Sequence, residues 1–143
     1  MPNMLPAIEE IIAYERMAND SQYAWAISGW MNSKKPYWEY HNKDNENFYK
    51  VYRPYIIRRL EECPPLIAVL KEDPFVYLGF VCGQGGKLYY AYTKGDWRRN
   101  GIANKLMHEE CGDSPGVYYD KTFKQKFFAA LERKGWRYEE KKQ

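Results

Sequence analysis

Histidine and cysteine are scarce in this chain of 143 residues, which has two of the first and three of the second. Cys63, Cys82 and Cys111 stand far apart in the sequence and form no C-x-x-C pair. His41 and His108 are dispersed as well, so no metal-ligand spacing is present and no metal site is expected. An odd set of unpaired thiols suits a reducing compartment. Long apolar runs are also lacking: no stretch approaches the roughly 18–20 apolar residues needed to span a bilayer. No basic segment followed by an apolar run opens the chain, so a signal peptide is not expected either. These absences lead to the expectation of a soluble, cytoplasmic protein with no membrane partner. Net charge is low too, at +3, and does not by itself demand a polyanionic partner.

What is present fits one domain spanning residues 1–143. The hydrophobic fraction is 45% and the charged fraction 29%, both ordinary for a globular protein. The 14 Tyr and 5 Trp are unusual. Aromatic side chains fill cores, but they also stack on bases and line ligand grooves. Charge is unevenly placed: eight Lys/Arg against three Glu between Lys121 and Gln143 leave +5 there and −2 in the first 120 residues. A basic end attracts phosphate, whether on a cofactor or on nucleic acid, and equally forms a solvated helix face.

Periodicity divides the chain into helices first and strands later. Leu5, Ile8 and Ile12 recur at helical spacing and predict a helix over 4–18. Residues 21–31 are apolar and aromatic without a clean period, which leaves strand and helix both open. Asn32 to Asn47 is polar, contains Pro36 and reads as a loop carrying Tyr37, Trp38, Tyr40 and His41. Phe48, Tyr52, Tyr55, Ile56 and Leu60 lie on one face of a helix over 47–62, with Pro54 expected to kink or divide it. Leu66 to Leu70, Phe75 to Cys82 and Leu88 to Lys94 then read as three strands of an antiparallel meander, the last two joined by a glycine-rich turn. A helix over 101–110, a strand over 117–119, a helix from the Thr122/Gln125 capping box to Lys134, and a short strand over 136–138 complete the order. The result is an α/β layout with a mixed sheet, because the strand–helix–strand unit over 88–119 favours a parallel pair.

One segment carries chemistry. In Tyr92 to Leu106, YTKGDWRRNGIANKL, a strand runs through a turn with two arginines and a glycine directly into a helix. The first amides of a helix have no internal partners and point along its positive end, so a phosphate placed there receives several hydrogen bonds at once. Gly101 and Ala103 leave room for the approach, and Arg98 and Arg99 add guanidinium groups that fork onto phosphate oxygens.

Arg98-Arg99-Asn100-Gly101-Ile102-Ala103 resembles the R/Q-x-x-G-x-G/A pattern of the GNAT (Gcn5-related N-acetyltransferase) superfamily. The upstream hairpin FVYLGFVCGQGGKLYYAYT looks like the second half of that family's meander, and FFAALERKGWRY is similar to its closing helix and exit. The resemblance covers about Leu66 to Tyr138. The segment SGWMNSK, with the later YAYTK and RRNGIA, looks like a phage-encoded branch. The resemblance implies a GNAT fold, a mixed and mostly antiparallel sheet flanked by helices with a splayed parallel strand pair. It also implies acetyl-CoA or another acyl-CoA as cofactor. Arg98, Arg99, Asn100, Gly101, Ile102, Ala103 and Asn104 would hold its pyrophosphate, and the backbone around Tyr92 and Thr93 its pantetheine arm.

Two departures bear on catalysis. The family's usual tyrosine acid, four residues before the closing glycine, is replaced by Leu131, and no carboxylate stands inside the third strand. Asp120 and Tyr119, at the mouth of the expected cleft, are the candidate acid or base. The first functional reading is an acyltransferase acting on an amine, with a nucleotide or nucleic-acid acceptor suggested by the Tyr37–His41 aromatics and the basic end. The second is a catalytically degenerate GNAT-fold interaction protein, a phage virion component or a homo-oligomer. The first would work in the host cytoplasm if phage-encoded, the second in the virion.

Overall fold

The computed structural model describes residues 8–42, 47–97, 101–119 and 125–139. One helical turn, α1 (Ile8–Ile11), passes without a break into strand β1 (Ile12–Arg16). The helix expected over 4–18 is therefore corrected. Strand β2 (Leu66–Leu70) pairs antiparallel with β1, Ile12 opposite Leu70 and Arg16 opposite Leu66. Three apolar residues in a short segment do not separate a period of 3.6 from one of 2. The outer edge of β2 settles the matter, since its backbone amides and carbonyls need a partner.

The unassigned segment 21–31 is helical, and so is most of the segment expected to be a loop. Helix α2 runs from Asp20 to Asn42. Pro36 lies exposed inside it, where it forgoes one amide bond without ending the helix. A reciprocal cap starts α2. The Asn19 side-chain carbonyl accepts the Gln22 amide at 2.9 Å, while Gln22 Oε1 accepts the amides of Ala18 and Asn19 at 2.8 and 3.3 Å. Helix α3 (Phe48–Glu62) buries Phe48, Tyr52, Tyr55, Ile56 and Leu60, the expected face, and adds Arg59 to it. Pro54 lies within α3 without dividing it.

The meander follows as β2, β3 (Tyr77–Gln84) and β4 (Lys87–Thr93). Two β-bulges shift its side-chain phase. Leu78 has no partner between the pairs Ala68–Gly79 and Val69–Tyr77, and Tyr89 has none between Cys82–Tyr90 and Gly83–Leu88. Tyr89 and Tyr90 consequently face the same layer. After a 3₁₀ turn at Gly95–Trp97 come α4 (Ile102–Cys111), β5 (Val117–Tyr118), α5 (Gln125–Arg133) and β6 (Arg137–Tyr138). Gly135, at φ +100°, ends α5, with the Trp136 amide returning to the Leu131 carbonyl at 3.0 Å. Thr122 of the expected capping box lies outside the described residues.

The sheet has the order β1-β2-β3-β4-β5-β6, antiparallel as far as β4 and parallel for β4–β5 and β5–β6. Each face carries a core. Helices α2 and α3 cover one, built on Trp30, Phe48, Tyr52, Ile56, Phe80 and Tyr90. Helices α4 and α5 cover the other, built on Leu78, Val81, Ile102, Leu106, Tyr118 and Leu131. The expected α/β fold with a mixed sheet and a splayed parallel pair is the one found. Among the described residues, no helix is long and apolar enough to cross a membrane.

Candidate functional site

The site begins where two parallel strands part. Val117 donates to the Gly86 carbonyl at 2.8 Å and Tyr119 to that of Leu88 at 3.0 Å. The β4–β5 register covers two residue pairs, Lys87–Val117 and Leu88–Tyr118. Strand β4 continues to Thr93, so its backbone from Tyr89 onward runs past the paired part of β5. Gly86 and Gly116 make the closed end possible, because their backbones touch with no side chain between them. The open end lies toward the start of α4.

Helix α4 presents its N-terminus there. Its first intrahelical bond runs from the Lys105 amide to the Gly101 carbonyl at 3.0 Å. The amides of Ile102, Ala103 and Asn104 therefore precede the helical bonding pattern. Gly101 is the N-cap, with φ +80° and ψ 6° and no side-chain cap. A left-handed cap favours glycine, and the space beside its Cα is open, since an added Cβ would meet nothing within 4 Å. Ile102 anchors the turn through a fully buried side chain, Ala103 is half-buried, and Asn104 is exposed with its Oδ1 3.5 Å from Lys134 Nζ. An anion cradle needs orphan amides, room and a helix dipole, and these residues fit a pyrophosphate. Arg98, Arg99 and Asn100 of the motif lie outside the described residues.

On the α2–α3 side of the diverging strands the packing is aromatic. Tyr92 is half-buried and meets Trp25 edge-on at 5.6 Å. Trp30 stacks on Tyr90 at 4.8 Å and 9°, and the Tyr90 hydroxyl bonds Ser33 Oγ. Thr93, the last residue of β4, is half-buried opposite Gly79. Tyr119 is half-buried and stacks on Tyr89 at 5.1 Å, which puts both rings at the point where the strands separate. Asp120, the other candidate acid or base, lies outside the described residues.

Sequence reasoning missed Arg59. It belongs to the buried stripe of α3 at 4% exposure, with Nη1 2.7 Å from Glu62 and Cζ over the rings of Tyr55 and Tyr89 at 4.8 and 5.3 Å. Burial opposes its charge, yet Glu62 and Tyr55 outweigh burial and hold its pKa above the ordinary value. The available signal was its spacing: Arg59 is four residues from Tyr55 and three from Ile56, on the apolar stripe rather than off it.

The remaining candidates pack elsewhere. Trp38 stands against Phe48 and Tyr52 in the α2–α3 seam, at 5.7 and 6.2 Å, rather than on a loop. Tyr40 is exposed. Leu131 sits in the core under α5. Near it the Tyr118 hydroxyl donates to Glu132 at 2.6 Å, and burial, then Glu132, pushes the phenol's pKa well up. The cysteines, distant in sequence, gather at one end of the sheet. Cys82 Sγ lies 3.5 Å from the Cys63 carbonyl, and Cys111 Sγ would stand 3.1 Å from a Cβ on Gly83. Burial raises the pKa of Cys82 strongly and that of Cys111 to about 12, so both are thiols rather than nucleophiles.

No protein-family model matches the sequence, and no curated protein does. Solved structures do. A GCN5-related glucosamine N-acetyltransferase region of a fungal multi-domain GH3 β-N-acetylglucosaminidase matches with TM-score 0.54 and 16% identity, over 94% of this chain and 17% of that one. Apo-form YjaB from Escherichia coli matches with TM-score 0.48 and 17% identity, over 69% and 63% of the two chains. AAC(6')-Iy in complex with a bisubstrate analogue matches with TM-score 0.45 and 12% identity, over 92% and 93%. The chain thus spans less than two thirds of the first two. Of the three, the fungal region exceeds a TM-score of 0.5, and at its identity the likeness establishes the GNAT fold.

Proposed function

We propose that this chain is a single-domain GNAT-type N-acyltransferase that takes an acetyl or related group from acyl-coenzyme A and delivers it to an amine. The observation that carries this reading is the parallel pair β4–β5 parting beside a helix N-terminus whose cap, Gly101, is left-handed and open. Arg98 to Asn104 would hold the pyrophosphate through backbone amides, with the two guanidinium groups alongside. The backbone of β4 through Tyr92 and Thr93 would pair with the pantetheine arm. When bound, acyl-coenzyme A supplies an activated acyl group as a thioester. The chain's own part is to align that group with the amine, to aim an amide of β4 at developing negative charge, and to move two protons. Tyr119, the residue after β5, and Asp120, next in sequence, would serve as the acid or base. Leu131 offers no proton, so a tyrosine in α5 is not the acid here.

A nucleic-acid acceptor is the weaker version, because Trp38, its intended stacking residue, is engaged by α3. The interaction-protein reading draws on Leu131 and on the exposed Tyr40, Tyr49 and Phe75, but it gives the open cap at Gly101 no role. The test is calorimetry of acetyl-CoA binding to wild type and Gly101→Val. Wild type should bind and the variant should not, with thermal melting to show that the variant is folded. Equal affinities would remove the loop from the site, and no binding by wild type would remove the function.

A further inference from the structure

We propose that Gly29, in the interior of α2, sets the acceptor specificity of this site by keeping a notch open beside the ring of Tyr92, where the apolar body of an arylalkylamine seats. The inference rests on the acyltransferase reading and adds the class of acceptor. Its first support is that the described fold does not require glycine there. Glycine inside a helix is less favourable than alanine. Gly29 is not among the glycines with positive φ. Among the described residues, a Cβ built on it would meet two ring carbons of Tyr92, both at 4.0 Å. That is ordinary packing contact, not a clash. Alanine would therefore fit, and its absence leaves a methyl-sized notch between the helix and the ring.

The second support is access and position. Trp25, Gly29 and Ser33, spaced by four, share one flank of α2, and each is half-buried, as is Tyr92. Solvent thus already reaches α2 where the side chain is missing. The flank is tied to β4 on both sides of the notch: Trp25 meets Tyr92 edge-on, and the Tyr90 hydroxyl donates to Ser33 Oγ. The backbone of Tyr92 is the stretch proposed to pair with the pantetheine arm, so a group in the notch lies beside that arm. Tyr90 is two residues back along β4, about 7 Å at the usual rise of a strand, toward the point where β5 departs. A ring seated at the notch, with a short alkyl arm, carries its amine in that direction. There the nitrogen bonds the acyl carbon, the carbon–sulfur bond breaks, and the proton shed by the nitrogen ends on the coenzyme A sulfur.

The third support is the chemistry of the flank. The α2 segment Ser21–Ser33 carries no charged side chain. Its hydroxyl at Ser33 donates to the Gly29 carbonyl at 3.0 Å, and the Tyr90 hydroxyl donates to Ser33. A hydroxyl has one proton to give, so neither is left for a ligand. An aminosugar would surrender water bonds to this flank without replacement, and a polyamine would find no carboxylate on it. An aryl group asks for neither, and it meets Trp25 and Tyr92.

Calorimetry on the protein saturated with coenzyme A, titrated with phenethylamine, glucosamine and spermidine as probes, tests this. Phenethylamine should bind at least about tenfold tighter than the other two. In Gly29→Ala its affinity should fall about tenfold, the scale of one methyl group set against a fitted ligand, while coenzyme A affinity stays put. The same variant should melt about 2–5 °C higher, because alanine favours the helix. A glycine that serves only the fold would move melting temperature the other way. With acetyl-CoA, thiol release should show the change in KM for phenethylamine, with kcat little altered. Preference for glucosamine or spermidine, binding of none of the three, equal phenethylamine affinity in wild type and Gly29→Ala, or a lower melting temperature in the variant would overturn the proposal. If wild type does not bind coenzyme A, the acyltransferase reading fails separately, and the same titrations on ligand-free wild type and Gly29→Ala still decide for the notch.

Discussion

A Cβ on Gly116 would stand 2.0 Å from the Gly86 carbonyl oxygen, and one on Gly79 would stand 2.6 Å from the Tyr92 carbonyl oxygen. Neither neighbour is a side chain that can swing aside. Gly116→Ala should therefore destabilise the protein by about 1–3 kcal/mol through overpacking, read as a lower urea midpoint with an unchanged slope. At the other candidate residues the expected effects are chemical. Tyr119→Phe or Asp120→Asn should lower turnover by roughly 10² or more with little change in acetyl-CoA affinity, and a variant with unaltered turnover clears that residue. Cys111 gives a pH prediction. Its thiol ionises at 9.0 in the ordinary state and at about 12 in the fold, where burial is the first cause and Glu110 the next. The folded state thus holds a proton that the unfolded state has lost. Stability should be intact below pH 9 and fall as pH rises toward 12, by up to about 1.4 kcal/mol per pH unit for this one group. Cys82 and Tyr118, raised in the same direction, add to the fall. Urea titrations between pH 8 and 11 should show it, with a shallower slope in Cys111→Ala.

Each of the two helices that cover the aromatic face contains a proline, and each continues through it. Pro54 is exposed in the interior of α3, where it removes the amide that would bond to Lys50. Pro54→Ala should stabilise the protein by about 1–3 kcal/mol, seen as a higher melting temperature, and a fall would mean that the ring makes a contact the helix needs. These prolines also explain what could be read in advance. The meander, α4, α5 and the final strand follow from their own periods and glycines, because strong local pattern and fold agree there. The segment 32–47 reads as a loop because Pro36 and polar residues outweigh the aromatic spacing of Tyr37 and Trp38, yet α3 supplies partners that hold the helix on. The 4–18 segment reads as a helix because its strand character appears once β2 lies beside it. The proposed anion cradle could be suggested from the sequence because the pattern behind it lies in six consecutive residues. Tyr119 was a candidate from the sequence, but its meeting with Tyr89 and Arg59 was not legible, because a bulge and a helix stripe bring the three together across 60 positions of sequence.

At the scale of the whole molecule, the N-terminal helices close one face of the sheet and the C-terminal helices the other, so the proposed ligand site borders both layers. A ligand bound there should stabilise the whole fold. Coenzyme A at 100 times its Kd should add about 2.7 kcal/mol, visible as a rise in melting temperature that Gly101→Val abolishes. The contact of Gly86 with Gly116 has a further mechanical meaning. Bare backbones in contact cannot be pushed closer, so any change in the spacing of the two strands is a rotation about that fulcrum. From the fulcrum at Gly86 to Thr93, the end of β4, the lever is about 23 Å long at the usual rise of a strand. One degree of tilt at the closed end therefore moves the far tip by about 0.4 Å, and the aperture for a bound molecule is governed from the end that the molecule never touches.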